Sequence, residues 1–504
     1  MKKKIIYVVL YSLLLAAVAA AETLAIVRVM RLNMIPDLYL GLLIGAFVLM
    51  LGLLGVLLFV HKKGKRVGIA RQIIAGVLAL VTIAGCLFVS PKVQQLQTTV
   101  ENIVVEEPVK PTRNIYVQMG DPAQTIADTA GYTFAALLQD QYCADQVAKT
   151  LETELGTEVK VEYFESESVM IVSYYNNEVN ALILSEGQLS ILLDNELYAD
   201  FFEKNRVLYT TFVTENENPD AVVQSPEPEV EQVADITNTP FIVYLSGMDS
   251  YGETLKRTRS DVNILMVVNP TTKQILLVNT PRDYYIVHPW GSGSRDKLTH
   301  CGVYGIDCSI KALEILYDVP VNYYMQINFS GFERLIDAIG GITVYSDHAF
   351  DCGDYFEVSI REGENTLNGY EALSFARDRK HQAGGDNDRG KNQMKVIKAV
   401  IGKVSSASTV IAKYSAILSS LEGMIATNVP IEDINKLVKM QLTDMAEWNI
   451  QTYAVTGYGD TQPTYSMPST PAYVMRPNQS TVNHAKDLIT RVINGEILTE
   501  ADVS

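Results

Sequence analysis

Residues 262–279 read VNILMVVNPTTKQILLVN, and they give the clearest structural pattern in the second half of the chain. Its two apolar runs, 262–268 and 274–279, are rich in Val, Ile and Leu, and they flank the polar segment Pro-Thr-Thr-Lys at 270–273. Short apolar runs that meet across a proline-containing turn are typical of a β-hairpin. The stretch therefore predicts two paired, buried strands.

Strand and helix patterns continue on both sides of this hairpin. An apolar run at 241–245 predicts another buried strand. Apolar residues recur at helical spacing in three places, 305–317, 329–339 and 392–404. The second of these helices is expected to end at Gly340 and Gly341, because glycine adopts the left-handed conformation that closes many helices. Strands interleaved with helices predict an α/β domain over 241–504.

Three segments of different composition precede this domain. Residues 91–113 are polar and acidic, which indicates a stalk, and 215–240 are rich in Glu, Pro, Asn and Gln, which is typical of a linker. Between them, residues 114–214 predict a small α/β accessory domain. Its elements are strand-like pieces at 158–164 and 168–174 and a helical stretch at 144–155.

Three apolar runs occupy the first ninety residues, at 5–21, 38–60 and 73–89. Each is close to the roughly 20 residues that cross a bilayer core. A cleaved signal peptide is the alternative for the first run, but the second and third are too long and too closely spaced for it. We therefore predict residues 1–90 to be a three-helix membrane anchor.

The positive charges around these runs predict their orientation. Lysines occupy positions 2–4, and five Lys or Arg residues lie within 62–71. Basic loops stay in the cytoplasm, so both segments are expected there. The N-terminus is then cytoplasmic, the chain is a multi-pass protein of the cell membrane, and everything after about residue 90 is extracellular.

Charge and cysteine usage narrow the classes of function. The 504 residues carry a formal net charge of −17 and a pI near 4.9, which argues against a nucleic-acid binder and requires any phosphate site to be a local basic pocket. Outside the cell Cys352 could pair with Cys301 or Cys308, but buried free thiols fit the spacing equally well. The chain has no Cys-x-x-Cys pair, so a structural zinc site is not expected.

A first group of charged residues surrounds the first two strands of the predicted domain. Asp249 follows the first strand, while Arg257, Arg259 and Asp261 precede the second. Two neighbouring carboxylates repel each other unless a proton or a cation neutralises them. Because no His lies beside them, Mg²⁺ bound through carboxylate and phosphate oxygens is the expected partner. The alternative for a single Asp after a strand is a turn residue or a helix cap.

Two further groups are rich in arginine. Arg282 lies in Thr-Pro-Arg-Asp at 280–283, directly after the hairpin, and its alternative role is a surface ion pair. The third group reads ARDRK at 376–380 and GGDNDRGKNQ at 384–393, where a loop dense in Arg and Gly enters a helix. Arginine forks match phosphate oxygens, and a helix N-terminus adds backbone donors, although many such charge runs are only solvated surface.

Taken together, these motifs resemble the LytR-CpsA-Psr family. The order Gly-x-Asp, Arg-Ser-Asp, Pro-Arg-Asp, Ala-Arg-x-Arg and Gly-Asp-x-x-Arg-Gly-x-Asn-Gln matches, as do DKLTH at 296–300 and LNGYEAL at 367–373. The resemblance is close over 241–399 and looser beyond. It implies a mixed central sheet flanked by helices, an apolar pocket for a polyprenyl tail and an arginine-rich mouth for its pyrophosphate.

The resemblance also implies an activity at a Gram-positive-type envelope. Members transfer teichoic acid, capsular polysaccharide or a related glycopolymer from a polyprenyl pyrophosphate carrier to the C6 hydroxyl of N-acetylmuramic acid in peptidoglycan. By motif, Asp249 and Asp261 would hold Mg²⁺, with Mn²⁺ as an alternative. Asp386 would orient Arg389 or accept a proton. The residues expected to bind the pyrophosphate are Arg259, Arg282, Arg377, Arg379 and Arg389, and those expected to bind other parts of the substrate are Arg257, Lys297 and Gln393.

The same motifs leave two alternative functions open, and a third conflicts with the predicted topology. A hydrolase of the carrier would use the same residues with water in place of the sugar hydroxyl, and a receptor for lipid-linked polymer would leave the carrier unchanged. Transcriptional regulation would require contact with DNA, which a domain outside the membrane cannot make. Because the nucleophile is a sugar hydroxyl, no Ser-His-Asp or Cys-His arrangement is required. His288, His300 and His381 lack metal-ligand spacing and are predicted to be structural.

Overall fold

The computed structural model divides the chain into two compact units. The first comprises Met1–Val104, Val404–Glu422 and Val429–Glu447, and the second comprises Val105–Lys403, Gly423–Asn428 and Trp448–Ser504. The structure describes residues 2–60, 68–103, 111–194, 196–198, 200–213, 232–252, 255, 258–291, 293–352, 357–378, 381, 386–406, 413, 416–417, 420–421 and 423–504.

Three long helices form the N-terminal part of the first unit: α1 (Lys2–Leu32), α2 (Asp37–Phe59) and α3 (Ile69–Ile103). Each contains a segment long and apolar enough to cross a membrane, which confirms the three predicted membrane helices by length and composition. Their contacts are apolar, since Val18, Leu54 and Ala79 are buried together. Helix α3 continues past the third predicted run and includes the first part of the segment predicted as a stalk.

The accessory part of the second unit is a five-stranded sheet with helices on both faces. Its strands are β1 (Thr112–Gln118), β2 (Thr133–Leu137), β3 (Lys160–Phe164), β4 (Ala181–Leu184) and β5 (Asn205–Phe212). Its helices are α4 (Gln141–Leu155), α5 (Glu167–Tyr175), α6 (Glu186–Leu192) and α7 (Phe201–Lys204). The strand order is β3-β2-β4-β1-β5. One face packs against α4, and the other packs against α5 and α6.

The prediction of a strand at 168–174 is wrong, because these residues lie in helix α5. Met170, Ile171 and Tyr174 are buried at helical spacing, whereas Val169 before them and Val172 among them are exposed. A short run of β-branched and aromatic residues suits a strand by composition, but its burial has the period of a helix. Packing of one face against the accessory sheet therefore overrides local propensity.

The following domain is also α/β. Its strands are β6 (Phe241–Met248), β7 (Ser260–Asn269), β8 (Gln274–Asn279), β9 (Tyr285–Val287), β10 (Arg295–Lys297), β11 (Tyr323–Asn328), β12 (Ile342–Ser346), β13 (Phe350–Cys352), β14 (Val358–Ile360), β15 (Gly363–Leu367), β16 (Ile425–Thr427), β17 (Asn449–Ala454), β18 (Gly457–Gln462) and β19 (Ala472–Pro477). Its helices are α8 (Leu298–Cys301), α9 (Ile306–Tyr317), α10 (Phe329–Ile339), α11 (Gly369–Arg377), α12 (Asp386–Val404), α13 (Ile431–Asp444) and α14 (Gln479–Ile493). Of these, α13 belongs to the first unit.

Its central sheet is mixed, as the family resemblance implies. The order is β16-β11-β6-β7-β8-β17, with β11 parallel to β6 and β17 parallel to β8. The predicted hairpin is confirmed, since β7 and β8 pair antiparallel and Lys273 in their turn has a φ of 54°. Tyr244, Leu265 and Leu276 point to one face, where they pack in a buried core with α9 and α14.

Candidate active site

The sheet register brings the first groups of charged residues to one edge. Met248 at the end of β6 pairs with Ser260 at the start of β7, so Asp249 and Arg259 become neighbours. The Asp249 backbone N–H donates to the Arg259 carbonyl oxygen at 3.1 Å. Strand β8 ends beside the same edge, because its last residue pairs with Ile264. The loop after β8 therefore carries Arg282 into the group.

Within this group each of two arginines is paired with one of the predicted metal ligands. Arg259 Nη2 lies 2.7 Å from Asp249 Oδ2, and Arg282 Nη1 lies 2.6 Å from Asp261 Oδ1. Burial raises the pKa of the Asp261 carboxyl, but the positive charges of Arg282, Arg259 and Arg389 outweigh that effect and lower it to about 2. Asp261 is therefore an anion at neutral pH.

Both arginines also bind a carboxylate that comes from the accessory domain. Asp194, two residues after the end of α6, accepts at Oδ1 from Arg259 Nη1 at 2.7 Å and from Arg282 Nη2 at 2.5 Å. Lys297 Nζ donates to its other oxygen. The Asp194 side chain is only 7% exposed. Sequence reasoning missed Asp194 because it belongs to no motif.

A histidine predicted to be structural completes this cluster. His300 and Asp296 are fully buried, and His300 Nδ1 lies 2.7 Å from Asp296 Oδ1. Its Nε2 lies 3.7 Å from Asp194 Oδ2 and has no hydrogen-bond partner among the described residues. Burial lowers the pKa of the His300 imidazole, but the charge of Asp296 and the neighbouring Asp194 outweigh it, so the pKa is raised. Asp296 and His300 are four residues apart in the DKLTH motif, and this spacing was the signal available from sequence.

The remaining predicted residues lie at different distances from this cluster. Arg377 is partly exposed, stacks 4.1 Å above the Phe329 ring and lies 3.8 Å from Asp249 Oδ1. Arg389 and Gln393 are buried on α12. Arg257 and Arg379 lie outside the described residues. Asp386 is the first residue of α12, but its side chain is outside the described part of the structure.

Helix α12 approaches the end of β8 very closely. A Cβ atom at Gly390 would lie 2.4 Å from Asn279 Nδ2, so only glycine fits there without displacement of the amide. The preceding residue, Arg389, is thereby held near the edge where Asp261 lies, which agrees with its charge effect on that carboxyl. The glycine of the GDNDRG motif therefore has a packing role.

The carboxylates at this edge are suitable ligands for a hard cation. Asp249 and Asp261 offer the oxygen donors that Mg²⁺ prefers, and both lie beside arginines that suit phosphate. One oxygen of each accepts a hydrogen bond from arginine in this structure. A cation would therefore bind through the remaining oxygens or replace these contacts.

The cysteines are free and buried. Cys301 and Cys308 lie beside each other, and their sulfur atoms and a His288 ring nitrogen are all within 4.8 Å of one another. Burial raises the pKa of the Cys308 thiol, but hydrogen bonds with Cys301 and His288 lower it to about 7. Of the two alternatives for Cys352, the structure has the buried thiol, near the end of β13.

Comparison with known proteins gives three results. The model of the LytR_cpsA_psr family matches residues 207–482. Polyisoprenyl-teichoic acid–peptidoglycan teichoic acid transferases TagU from Bacillus licheniformis and Enterococcus faecalis are 36% and 34% identical over 206 and 200 residues, or 40% and 39% of this chain. The matches span 65% and 64% of those curated relatives, just under two thirds of their length. The crystal structure of TagV from Bacillus subtilis aligns with a TM-score of 0.43 and 26% identity, over 52% of this chain and 99% of that one.

Proposed function

The chain belongs to the LytR-CpsA-Psr family, and we propose that it transfers a glycopolymer from a polyprenyl pyrophosphate carrier to peptidoglycan. The names of the curated relatives support a teichoic acid as the polymer. Capsular or related polysaccharides share the same carrier chemistry and are the other proposed donors. The proposed acceptor is the C6 hydroxyl of N-acetylmuramic acid.

One observation supports this proposal most directly. Arg259, Arg282 and Lys297 converge on a single anion, the Asp194 carboxylate, at an edge that also carries Asp249 and Asp261. Three cationic donors fixed around one point suit a phosphoryl group, because charge-assisted hydrogen bonds to phosphate are strong and arginine supplies a planar fork. This arrangement favours chemistry at phosphate.

The proposed reaction is an attack of the sugar hydroxyl on the phosphorus that carries the polymer. A new P–O bond forms to the muramic acid, the P–O bond to the bridging oxygen breaks, and polyprenyl phosphate leaves with the bridging oxygen. Arg259, Arg282 and Arg389 stabilise the negative charge that grows on the departing phosphate. We assign Asp386 to accept the hydroxyl proton or to orient Arg389.

We further propose that Asp249 and Asp261 hold Mg²⁺, or Mn²⁺ in its place. When bound, such a cation supplies Lewis acidity and neutralises phosphate oxygens. The two carboxylates and their arginine partners then position the pyrophosphate together. Anchoring by α1, α2 and α3 in the cell membrane, with the catalytic domain outside, would keep this site at the face where lipid carrier and peptidoglycan meet.

The test uses the full chain in detergent with radiolabelled lipid-linked polymer and peptidoglycan. We expect label to move into peptidoglycan. Arg377→Ala and Arg377→Lys should both lose nearly all transfer while the melting temperature stays close to that of wild type, because Arg377 is partly exposed and lysine lacks the bidentate fork. The matched control is Arg476→Ala, which removes an exposed ion pair with Asp460.

Other outcomes would contradict the proposal in distinguishable ways. Release of free polymer into solution, with no label in peptidoglycan, would identify a hydrolase of the carrier. Carrier that is bound but recovered unchanged would identify a receptor. Near-normal transfer in both Arg377 variants would show that this arginine does not hold the pyrophosphate.

A further inference from the structure

The accessory domain and the catalytic domain have separate cores. The buried apolar residues of the accessory sheet form two clusters with α4 and with α5 and α6, within residues 115–213. The core of the catalytic domain lies within residues 242–503. Domains with their own cores are expected to move relative to each other unless a large hydrophobic interface joins them. The contact between the accessory and catalytic domains is therefore a candidate for a contact that opens and closes.

Hydroxyl groups link the two domains at two places. Ser190 on α6 and Thr258 before β7 are linked by their hydroxyls at 3.2 Å, and Ser168 on α5 and Thr470 are linked at 3.0 Å. Single hydroxyl pairs contribute about 1 kcal/mol each, because water replaces them when they separate. The ion pairs of Asp194 with Arg259, Arg282 and Lys297 are a stronger link than either hydroxyl pair.

Asp194 is held as a substrate anion would be held. One oxygen binds both Arg259 and Arg282, and the other binds Lys297. Burial raises the pKa of the Asp194 carboxyl, but His300, Arg282 and Lys297 outweigh it and keep it well below the usual range. The group is thus an anion at neutral pH within the proposed phosphate site.

The carboxylate does not satisfy every donor around it. His300 Nε2 is buried, faces Asp194 Oδ2 at 3.7 Å and has no hydrogen-bond partner in the described part of the chain. A phosphoryl group within the carrier's pyrophosphate diester has two non-bridging oxygens besides its ester and bridging oxygens, and its P–O bonds are longer than the C–O bonds of a carboxylate. It would reach this donor while it kept the contacts to the arginines and to Lys297.

We propose that Asp194 is an internal competitor of the carrier: its carboxylate occupies the position of one phosphoryl group, and the accessory domain must withdraw it before the pyrophosphate binds. This inference rests on the proposed function for the identity of the ligand. It makes the accessory domain a lid whose closed state is stabilised by the same cations that bind substrate. Because only open molecules bind the pyrophosphate, the apparent affinity for it equals the affinity of the open state multiplied by the fraction of molecules that are open.

The experiment measures binding of inorganic pyrophosphate to the full chain in detergent with Mg²⁺, by calorimetry. Asp194→Asn keeps the shape of the side chain but removes its charge, so we expect pyrophosphate to bind at least about tenfold more tightly than to wild type. The matched control is Asp200→Asn in the same domain, which removes an exposed ion pair with Lys204 and should bind like wild type. Equal affinity in Asp194→Asn and wild type would overturn the proposal.

A second measurement uses only the wild-type protein and does not depend on the folding of a variant. Addition of pyrophosphate should increase hydrogen exchange at the backbone amides of α6, because release of Asp194 frees the end of this helix. Unchanged or slower exchange there with pyrophosphate bound would contradict the lid. Tighter pyrophosphate binding in Asp194→Asn, together with no transfer to peptidoglycan by the wild-type chain, would leave the lid supported and refute the proposed function.

Discussion

Replacement of Arg282 by lysine tests the bridging role of this side chain. The guanidinium links Asp261 and Asp194 through two different nitrogens, at 2.6 and 2.5 Å, and its side chain is 8% exposed. Lysine keeps the charge but cannot reach both carboxylates in this way. Loss of one hydrogen bond to a charged group costs about 1.5–3 kcal/mol. We expect Arg282→Lys to destabilise the catalytic domain by about this amount and to lower transfer roughly ten- to hundredfold.

The same substitution should change the acid stability of the domain. The lowered pKa of Asp261, about 2 in the folded protein, lies below its ordinary value, so its ionised form stabilises the fold above about pH 4 and this stability is lost as the pH falls toward 2. Without the Arg282 fork the pKa of Asp261 rises toward its ordinary value. Ionisation of Asp261 then adds less to the free energy of unfolding above pH 4. The difference in this free energy between Arg282→Lys and wild type should therefore shrink in acid.

Tryptophan fluorescence during urea unfolding is a suitable assay. The chain has two tryptophans, Trp290 and Trp448, and both lie in the catalytic domain. The control is Arg476→Lys, whose exposed ion pair should contribute less than about 1 kcal/mol. A wild-type urea midpoint and wild-type transfer rate in Arg282→Lys would refute the argument that the fork is required.

Three further predictions concern the metal, a close contact and the membrane orientation. Mg²⁺ should raise the melting temperature of wild type, because the cation binds the folded site, and it should raise that of Asp249→Asn or Asp261→Asn much less. An equal rise in all three proteins would mean that these carboxylates only pair with arginines. Gly390→Ala should destabilise the domain by about 1–3 kcal/mol in the urea assay, since its methyl group would overlap the Asn279 amide; a neutral effect would show that α12 can shift at little cost. A reporter fused to the C-terminus should be active only outside the cell, and a tag at Lys63 should be protected in intact cells; the opposite pattern would overturn the orientation.

Local sequence patterns were sufficient to predict many of the helices and strands of the catalytic domain. The hairpin at 262–279, the helix that ends at Gly340 and the helix at 305–317 all agree with the structure within a few residues. Each has a period or a terminal signal that neighbouring residues supply by themselves. The segment 168–174 lacked such a signal, because a seven-residue apolar run with β-branched residues fits either a strand or a helix until its buried face is known.

The residue types of the site were already visible in its motifs: the arginines, the two carboxylates of Asp249 and Asp261, and the motif that contains Lys297. That Asp194 joins them follows from the fold alone, since it is 65 residues from Arg259 and 103 from Lys297 along the chain. The orientation of His300 was equally hidden. Period and spacing report contacts within one element, whereas an ion pair between domains depends on how two separately folded sheets meet, and no local pattern encodes that.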